Sequence, residues 1–304
     1  MDMDNRCFLL LDVGGTFVKS IVARFDGELI ASSEDSVPVN SDGERSEIEQ
    51  SFAEVIACGA SKVASLGGVV SGVGIAFPGP FNYEMGVSLM DHKFSALKGV
   101  SLMDFFHSLP QIGADCPVVF MHDVTSAVLG ELSFGAGRGW KNVALVTLGT
   151  GLGFAHSVNG EVQMDAMGEP VRSLYDRVYG DGVLEDYASK RGFLRAYAEV
   201  RGCANPDNLT VADIGALAKA GDAKALQTFE RVATILVGEL KPILAEFNIE
   251  CLLFGGQISR SFAFMEPALN ALKGDVPTLK QISAMGNIST SAPLGLLAAL
   301  RAKL

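Results

Sequence analysis

The amino-acid sequence predicts an α/β protein built from two halves of similar topology. Apolar runs typical of buried strands alternate along the chain with amphipathic stretches of helical period, which is the pattern of the α/β class. Two segments, beginning near Leu9 and near Asn142, share one order of elements: a strand, a turn with glycine and threonine, a strand, a hairpin ending in glycine, and a strand. This shared order indicates an internal duplication, and we expect two domains that flank a cleft.

The first half opens with three strands. Residues 7–12, CFLLLD, form a buried strand, residues 16–25 alternate, and residues 28–33 follow the pair Asp26-Gly27, which favours a hairpin. A helix is predicted over residues 44–66, because its apolar residues recur at helical spacing. The next strand, VSGVGIAF, ends at the turn sequence PGP.

The second half repeats this beginning. Before the repeat, an apolar strand with the sequence PVVFM leads into His122-Asp123 and then into a helix that connects the two halves. Three strands follow, with the sequences VALVTL, LGFAHSV and EVQ, and the pair Asn159-Gly160 predicts a hairpin between the last two.

The last part of the chain is mainly helical. A long amphipathic helix is predicted over residues 223–247, and a buried strand, CLLF, follows it and ends at a glycine pair. A further helix is expected from about Ser261, and a short helix ends the chain from about Pro293.

The composition limits the class of protein. The chain has 304 residues, 48% of them hydrophobic, which is enough for one large or two ordinary cores. A net charge of −11 without any basic run argues against a nucleic-acid partner, and the apolar stretches are too short to span a membrane. The N-terminus lacks a signal pattern, and five separated cysteines indicate reduced thiols. We expect a cytoplasmic protein.

Three turns place glycines at the ends of predicted strands. Any one of them is compatible with a simple hairpin. Two matching turns favour phosphate binding instead, because glycine lets a ligand approach backbone N–H groups and threonine adds a hydroxyl donor. No GxxxxGK[ST] loop or strand-to-helix GxGxxG is present, which disfavours a P-loop enzyme and a dinucleotide-binding oxidoreductase. The three turns are Gly14-Gly15-Thr16, Gly149-Thr150-Gly151 and Gly255-Gly256.

Two aspartates and one lysine are candidates for the chemistry of a phosphate site. Asp12 ends the first strand, where its carboxylate could hold Mg²⁺ directly or through water. Asp123 follows a strand and precedes a helix, so it is either a helix N-cap or a general base for a substrate hydroxyl. Lys19 is either a phosphate contact or a solvated strand lysine.

Taken in order, the motifs resemble the ROK family (repressors, unknown frames and sugar kinases). They are DVGGT with Lys19, GIAFPGP, His122-Asp123, LGTGLG and LLFGGQIS. The resemblance implies the actin-like ATPase (ribonuclease H-like) fold. It implies an N-terminal domain over 1–121, a C-terminal domain over 122–292, and a last helix, 293–304, packed back on the first domain. The first strand starts by Cys7, leaving no room for the helix-turn-helix of the family's repressors, so the kinase branch is favoured.

The resemblance also implies roles for individual residues. The first two glycine turns correspond to phosphate loops and Gly255-Gly256 to the adenosine side, with ATP as donor and Mg²⁺ at Asp12. Asp123 corresponds to the catalytic base. Sugar contacts are implied for Gly79, His122, Asp123, Glu169, Arg172 and Glu185. A homodimer is expected from the resemblance alone.

The sugar region departs from the family pattern. His122 replaces an asparagine, Arg172 replaces a histidine, and the cysteines of the family's zinc loop are absent, so no zinc is expected. The family's sugar-binding asparagine is also missing, and His92 or Lys93 could replace it. Arg172 and Lys93 either favour an anionic or otherwise modified sugar or are solvated surface charges.

The sequence therefore predicts an ATP-dependent kinase that phosphorylates a hydroxyl of a hexose or modified hexose. Two alternatives stay open. One is a non-catalytic sugar-sensing or regulatory protein, because the specificity residues are altered. The other is an actin-fold kinase for an amino sugar or another small substrate.

Overall fold

The computed structural model describes residues 5–113, 115–203 and 208–304, and the chain divides into two compact units. Unit 1 comprises Met1–Phe134, Met164–Pro170 and Ser289–Leu304, and unit 2 comprises Gly135–Gln163 and Val171–Ile288. Each unit contains a five-stranded sheet covered by helices, so the predicted α/β class is confirmed.

In the described part of the chain, unit 1 holds the first seven strands and four helices. Its strands are β1 (Arg6–Val13), β2 (Phe17–Arg24), β3 (Leu29–Pro38), β4 (Val69–Phe77), β5 (Phe81–Asn82), β6 (Val87–Ser88) and β7 (Val118–His122). Its first helices are α1 (Arg45–Ser65), α2 (Leu102–Ser108) and α3 (Asp123–Phe134).

Unit 2 holds the next seven strands and six helices. Its strands are β8 (Val143–Leu148), β9 (Leu152–Val158), β10 (Glu161–Val162), β11 (Val178–Tyr179), β12 (Gly182–Val183), β13 (Cys251–Gly255) and β14 (Gln281–Ala284). Its helices are α4 (Glu185–Ala188), α5 (Lys190–Arg201), α6 (Val211–Lys219), α7 (Ala223–Glu246), α8 (Glu266–Leu269) and α9 (Leu272–Asp275). The last helix of the chain, α10 (Ser291–Arg301), belongs to unit 1.

The two large sheets have the same topology. In unit 1 the strand order is β3-β2-β1-β4-β7, and in unit 2 it is β10-β9-β8-β13-β14. In each sheet the first three strands in sequence form an antiparallel meander, and the other two run parallel to the first strand. The predicted duplication of topology is therefore confirmed.

Both predicted hairpins are present, and each is formed by residues in the left-handed region. Gly27 has a φ of 107° between β2 and β3. Asn159 and Gly160 have φ values of 55° and 87° between β9 and β10, so both central residues have the positive φ of a type I′ turn. Such turns match the twist of the flanking strands, which explains why these pairs end the two meanders.

The sheet of unit 1 is covered on both faces. Helix α1 buries Ile48 and Phe52 against one face, together with a cluster of aromatic side chains. Helix α10 buries Leu296 and Leu300 against the other face, where they meet Leu10 of β1. The burial of these apolar side chains is the main force that holds α10 to the sheet.

Helices α3 and α10 cross at two glycines. A Cβ atom on Gly130 would overlap the carbonyl oxygen of Ser291, and one on Gly295 would overlap the carbonyl oxygen of Ser126. The Ser126 hydroxyl also donates a hydrogen bond of 2.6 Å to the carbonyl of Ala292. The two helix backbones therefore touch, which only glycine permits at these positions.

This crossing moves the boundary between the domains. We expected the second domain to begin at residue 122, but α3 as a whole lies in unit 1, and the chain passes to unit 2 after Phe134. The reason is the backbone contact of α3 with α10, which ties both helices to one sheet. In addition, residues 164–170 return from the second half to unit 1.

One other feature of the second half differs from the prediction. The helix expected from Ser261 is a 3-10 segment over Gln257–Phe264, followed only by the four-residue α8. The φ and ψ of Ser261, −100° and 18°, are not helical and break the segment there. In the described part of the chain, no helix is long and apolar enough to cross a bilayer.

We predict that Gly295→Ala destabilises the protein. The added methyl group has to push the backbones of α3 and α10 apart, so the free energy of unfolding should fall by about 2 kcal/mol or more. Urea unfolding followed by circular dichroism measures this change. Gly238→Ala in α7 is the control, because no atom lies within 4 Å of the new Cβ and alanine favours a helix. A Gly295→Ala protein as stable as the wild type would contradict the account of the crossing.

Candidate active site

The candidate site of unit 1 lies at one edge of its sheet. Strands β1, β4 and β7 are parallel neighbours, with Asp12 opposite Ala76 and Phe77 opposite His122. Their carboxyl ends therefore reach the same edge, where open α/β sheets hold ligands. Asp12 and Asp123 are close enough there for the charge of Asp123 to raise the pKa of Asp12.

His122 and Asp123 form a hydrogen-bonded pair at the end of β7. The Nδ1 atom of His122 is 2.9 Å from Oδ1 of Asp123, and the same oxygen accepts a hydrogen bond of 2.6 Å from the backbone N–H of Val124. The imidazole is mostly buried, but 62% of the Asp123 side chain is exposed. Asp123 is thus oriented by two donors while its carboxylate stays accessible to a ligand.

Glu169 reaches the other side of the same imidazole. Its Oε2 atom is 3.9 Å from Nε2 of His122, and its Oε1 atom accepts a hydrogen bond of 3.0 Å from the backbone N–H of Phe81. A Cβ atom on Gly79 would lie 2.5 Å from Oε1 of Glu169, so glycine makes room for the carboxylate. Three residues predicted to contact sugar, Gly79, His122 and Glu169, therefore lie together, with Asp123 beside them.

The position of Glu169 comes from the 164–170 segment. The Asp165 carboxylate accepts hydrogen bonds from the backbone N–H groups of Met167 (2.8 Å) and Glu169 (3.0 Å), which closes a compact loop. The N–H of Tyr83 donates a 2.7 Å hydrogen bond to the carbonyl of Met167, which fastens this loop to the segment after β4.

Tyr83 is a structural member of the site that the sequence analysis missed. Its hydroxyl donates a hydrogen bond of 2.9 Å to the carbonyl of Phe77, and its ring meets the His122 ring edge-on at 6.0 Å. Burial, followed by the charges of Glu169 and Asp123, raises the pKa of this tyrosine. The only signal in the sequence is an aromatic residue shortly after the PGP turn.

The pKa shifts of the three groups follow from their contacts. Desolvation acts to lower the pKa of His122, but the hydrogen bond and charge of Asp123 and the charge of Glu169 raise it overall. Desolvation acts to raise the pKa of Asp123, but the hydrogen bond and charge of His122 and the Val124 N–H lower it overall. For Glu169, desolvation outweighs His122 and the pKa is raised. The arrangement favours an imidazolium between two carboxylates.

Asp12 faces Lys19 across the β1–β2 pair and has room for a metal ion. Burial, then the charge of Asp123, raises the pKa of Asp12, and the charge of Lys19 opposes this. Both residues line an open cavity of about 610 Å³. Within the described ranges no cluster of three or more His, Cys, Asp or Glu could hold a metal. One carboxylate beside open space suits Mg²⁺, which keeps several waters and also binds phosphate oxygens.

The first glycine turn is held by a hydrogen bond within the turn and by a neighbouring loop. Gly14 N–H donates to the carbonyl of Phe17 at 2.9 Å, and the carbonyl of Gly15 accepts a 3.3 Å hydrogen bond from Ser41. Thr16 is exposed at the tip of the turn. The Lys93 side chain also reaches Gly15, at 3.8 Å from Cδ to the position of a Cβ atom there. No sequence pattern pointed to Ser41 as a neighbour of this turn.

The second glycine turn, in unit 2, rests on Glu185. Gly149 N–H donates to the carbonyl of Gly151 at 3.0 Å. The Glu185 carboxylate accepts a hydrogen bond of 3.0 Å from the N–H of Leu152 and pairs with Arg191 at 2.8 Å. No atom lies within 4 Å of a Cβ on Gly149, so packing does not require that glycine, whereas Thr150 is exposed beside it. The sugar contact of Glu185 stays a prediction.

Packing and backbone conformation are sufficient to explain the third glycine pair. A Cβ atom on Gly255 would overlap the Met285 sulfur, and one on Gly256 would overlap the backbone of Leu148. Gly256 also has a φ of 79°, which other residues rarely adopt. The adenosine role of this pair therefore rests on its position at the end of β13 and stays a prediction.

Arg172 is engaged inside unit 2. Its guanidinium pairs with Glu246 at 2.6 Å and lies 5.6 Å from the centre of the Phe247 ring. Burial, then the charge of Arg172, lowers the pKa of His156 to about 4. The charge of Arg172 is thus balanced by a carboxylate, which removes the main support for an anionic sugar.

Comparisons with known proteins agree with this architecture. A model of the ROK family matches residues 8–170 and 180–279. The glucokinase of Halalkalibacterium halodurans is 26% identical over 280 residues, which cover 85% of this chain and 82% of that protein. A ROK family glucokinase from Streptomyces griseus, solved with glucose and AMPPNP, gives a TM-score of 0.77 at 21% identity, covering 97% of this chain and 99% of the other.

A regulator has a similar fold. A ROK family transcriptional regulator, a homologue of the E. coli MLC protein, gives a TM-score of 0.81 at 19% identity, covering 99% of this chain and 82% of the other. At these identities the solved structures establish the fold, and the predicted actin-like ATPase fold is confirmed.

We predict that His122 titrates above its ordinary pKa of 6.5. Glu169→Gln should lower the midpoint, because one of the two carboxylates beside the imidazole loses its charge. NMR titration of the histidine Cε1–H resonances measures this, and His156, with a pKa of about 4, is an internal reference. Glu161→Gln, at an exposed carboxylate on β10, is the matched control.

The same shift makes stability depend on pH. Because the folded-state pKa of His122 is raised, protonation of His122 stabilises the folded protein. This stabilisation is complete below pH 6.5 and is lost as pH rises through the folded-state pKa. A His122 midpoint at or below 6.5, or one unchanged by Glu169→Gln, would contradict the arrangement described.

Proposed function

The chain belongs to the ROK family, and on that premise we propose that it is a kinase that transfers the terminal phosphate of ATP to a hydroxyl of a neutral hexose. The observation that carries this proposal is the His122 imidazole between Asp123 and Glu169. It leaves one accessible carboxylate as a base and a second, partly buried carboxylate beside it as a hydrogen-bond acceptor for substrate hydroxyls.

Asp123 takes the proton of the attacking hydroxyl. The sugar oxygen forms a bond to the terminal phosphorus, the bond from that phosphorus to the bridging oxygen breaks, and ADP leaves. Because phosphoryl transfer is largely dissociative, the proton moves late, and a base with a lowered pKa is sufficient. The lowered pKa also keeps Asp123 ionised at neutral pH, which a proton acceptor requires.

The glycine turns and Asp12 hold the donor. The backbone N–H groups of Gly14 and Gly149 bond within their own turns, so those of Gly15, Thr16, Thr150 and Gly151 would contact phosphate oxygens, with the threonine hydroxyls as further donors. Asp12 would hold Mg²⁺, directly or through water, and Lys19 would balance part of the charge there. When bound, Mg²⁺ neutralises charge on the phosphates.

The substrate class follows from the carboxylates and the relatives. Carboxylates accept hydrogen bonds from sugar hydroxyls, and Glu169 and Gly79 would form one side of the sugar site. A curated relative that matches most of the chain is a glucokinase. The ion pair of Arg172 with Glu246 gives no support to an acidic sugar, so we favour a neutral hexose over an anionic or amino sugar.

The second candidate is a sugar-responsive regulator without catalysis. It is favoured by the TM-score of 0.81 to a ROK family transcriptional regulator. The accessible, oriented carboxylate of Asp123 argues for the kinase instead, since a sensor needs no proton acceptor. The homodimer expected from the resemblance stays a prediction.

We predict that Asp123→Ala lowers kcat by about 100- to 10,000-fold, because the proton acceptor is lost. A coupled ADP-release assay with a panel of neutral, amino, N-acetylated and acidic sugars measures turnover, and calorimetry with AMPPNP measures ATP-site affinity, which should stay close to the wild-type value. The matched control is Asp104→Ala, at an exposed carboxylate on α2.

The outcomes separate the candidates. Wild-type turnover in the Asp123→Ala variant would rule out Asp123 as the base. A wild-type protein that binds sugars but releases ADP with none of them would favour the regulator. Turnover with an amino sugar in preference to every neutral hexose would support the alternative kinase.

A further inference from the structure

Lys93 lies against the first glycine turn, on the loop that follows β6. Its Cδ atom is 3.8 Å from the position that a Cβ atom would occupy on Gly15, so the aliphatic part of the side chain lies beside the turn. The ammonium group is two bonds further along the side chain, and Lys93 is exposed. The amine therefore extends from the surface of the turn, where the proposed function puts phosphate oxygens.

The backbone beside Lys93 is firmly anchored to the same turn. Phe94 is completely buried, with its ring 5.3 Å from that of Phe77, and has the left-handed φ of 51°. Its N–H donates a 2.7 Å hydrogen bond to the carbonyl of Ser41, whose own N–H donates to the carbonyl of Gly15 at 3.3 Å. Lys93 thus starts from a fixed point, which reduces the entropy lost when its amine binds a ligand.

The charge of Lys93 is not neutralised by a neighbour. Across the described residues, no carboxylate oxygen lies within 4.0 Å of its amine, whereas Lys98 on the same loop pairs with Asp91 at 3.6 Å. The edge of the sheet also carries Asp12 and Asp123, whose charges Lys19 opposes only in part, and these carboxylates would repel a polyphosphate. An anionic ligand at this edge needs a cation, and Lys93 can supply one.

We propose that Lys93 is a phosphate-binding residue of this chain, whose ammonium donates to the non-bridging oxygens of the terminal phosphate of ATP. The assignment rests on the proposed function and deepens it. It replaces the sugar contact considered for Lys93 with a contact to the group that is transferred. Lysine acts at phosphates as a compact point charge, and the hydroxyl proton passes to Asp123.

The test compares two nucleotides on Lys93→Met, which keeps the length of the side chain and removes the charge. Calorimetry with Mg²⁺ should show AMPPNP affinity reduced by about tenfold or more, with ADP affinity much less affected, because only AMPPNP carries the third phosphate. The kcat should fall by about 100-fold, while the KM for sugar stays near the wild-type value. Lys93→Arg should recover most of the AMPPNP affinity.

Lys98→Met is the matched control, since this lysine is on the same loop but already paired. Thermal unfolding of each variant separates loss of fold from loss of binding. Equal losses for AMPPNP and ADP, no loss for either, or a change confined to the KM for sugar would each overturn the assignment. If the wild type binds AMPPNP but phosphorylates no sugar, the proposed function fails while the affinity ratio still decides the role of Lys93. If it binds neither nucleotide, both are overturned.

Discussion

The carboxyl ends of β1, β4 and β7 lie side by side because the three strands are parallel and in register, and this alignment determines the site of unit 1. Asp12 is the last residue but one of β1, Gly79 follows the end of β4, and Asp123 follows the end of β7. Each of these three residues lies within two positions of the end of its strand. The chemistry is therefore a property of the sheet edge, and the loops add to it the carboxylate of Glu169 and the side chain of Lys93.

A backbone contact keeps Asp123 in place. Asp123 is the first residue of α3, and α3 touches α10 where Gly130 and Gly295 bring the helices together. A wider crossing would shift the first turn of α3 and with it the carboxylate beside His122. The contact between α3 and α10, together with the apolar side chains that α10 buries against the first sheet, thus links the stability of unit 1 to the position of Asp123.

The sequence was sufficient for features set by local patterns and insufficient for those set by long-range contacts. Strand periodicity and the hairpin glycines at Gly27 and Gly160 predicted both meanders, and the strand-end aspartates followed from them. The return of residues 164–170 to unit 1 could not be predicted, because it depends on pairing between Tyr83 and Met167. The ion pair of Arg172 with Glu246, 74 residues away, likewise has no local signature.

The proposed activity is the transfer of phosphate from ATP to a sugar hydroxyl. ³¹P NMR of the wild-type protein with ATP, Mg²⁺ and a neutral hexose measures that transfer directly. We predict that the γ-phosphate signal of ATP decreases while the signals of ADP and of a sugar phosphate ester grow in equal amounts. Growth of inorganic phosphate without an ester, or an unchanged spectrum across the neutral hexoses, would contradict it.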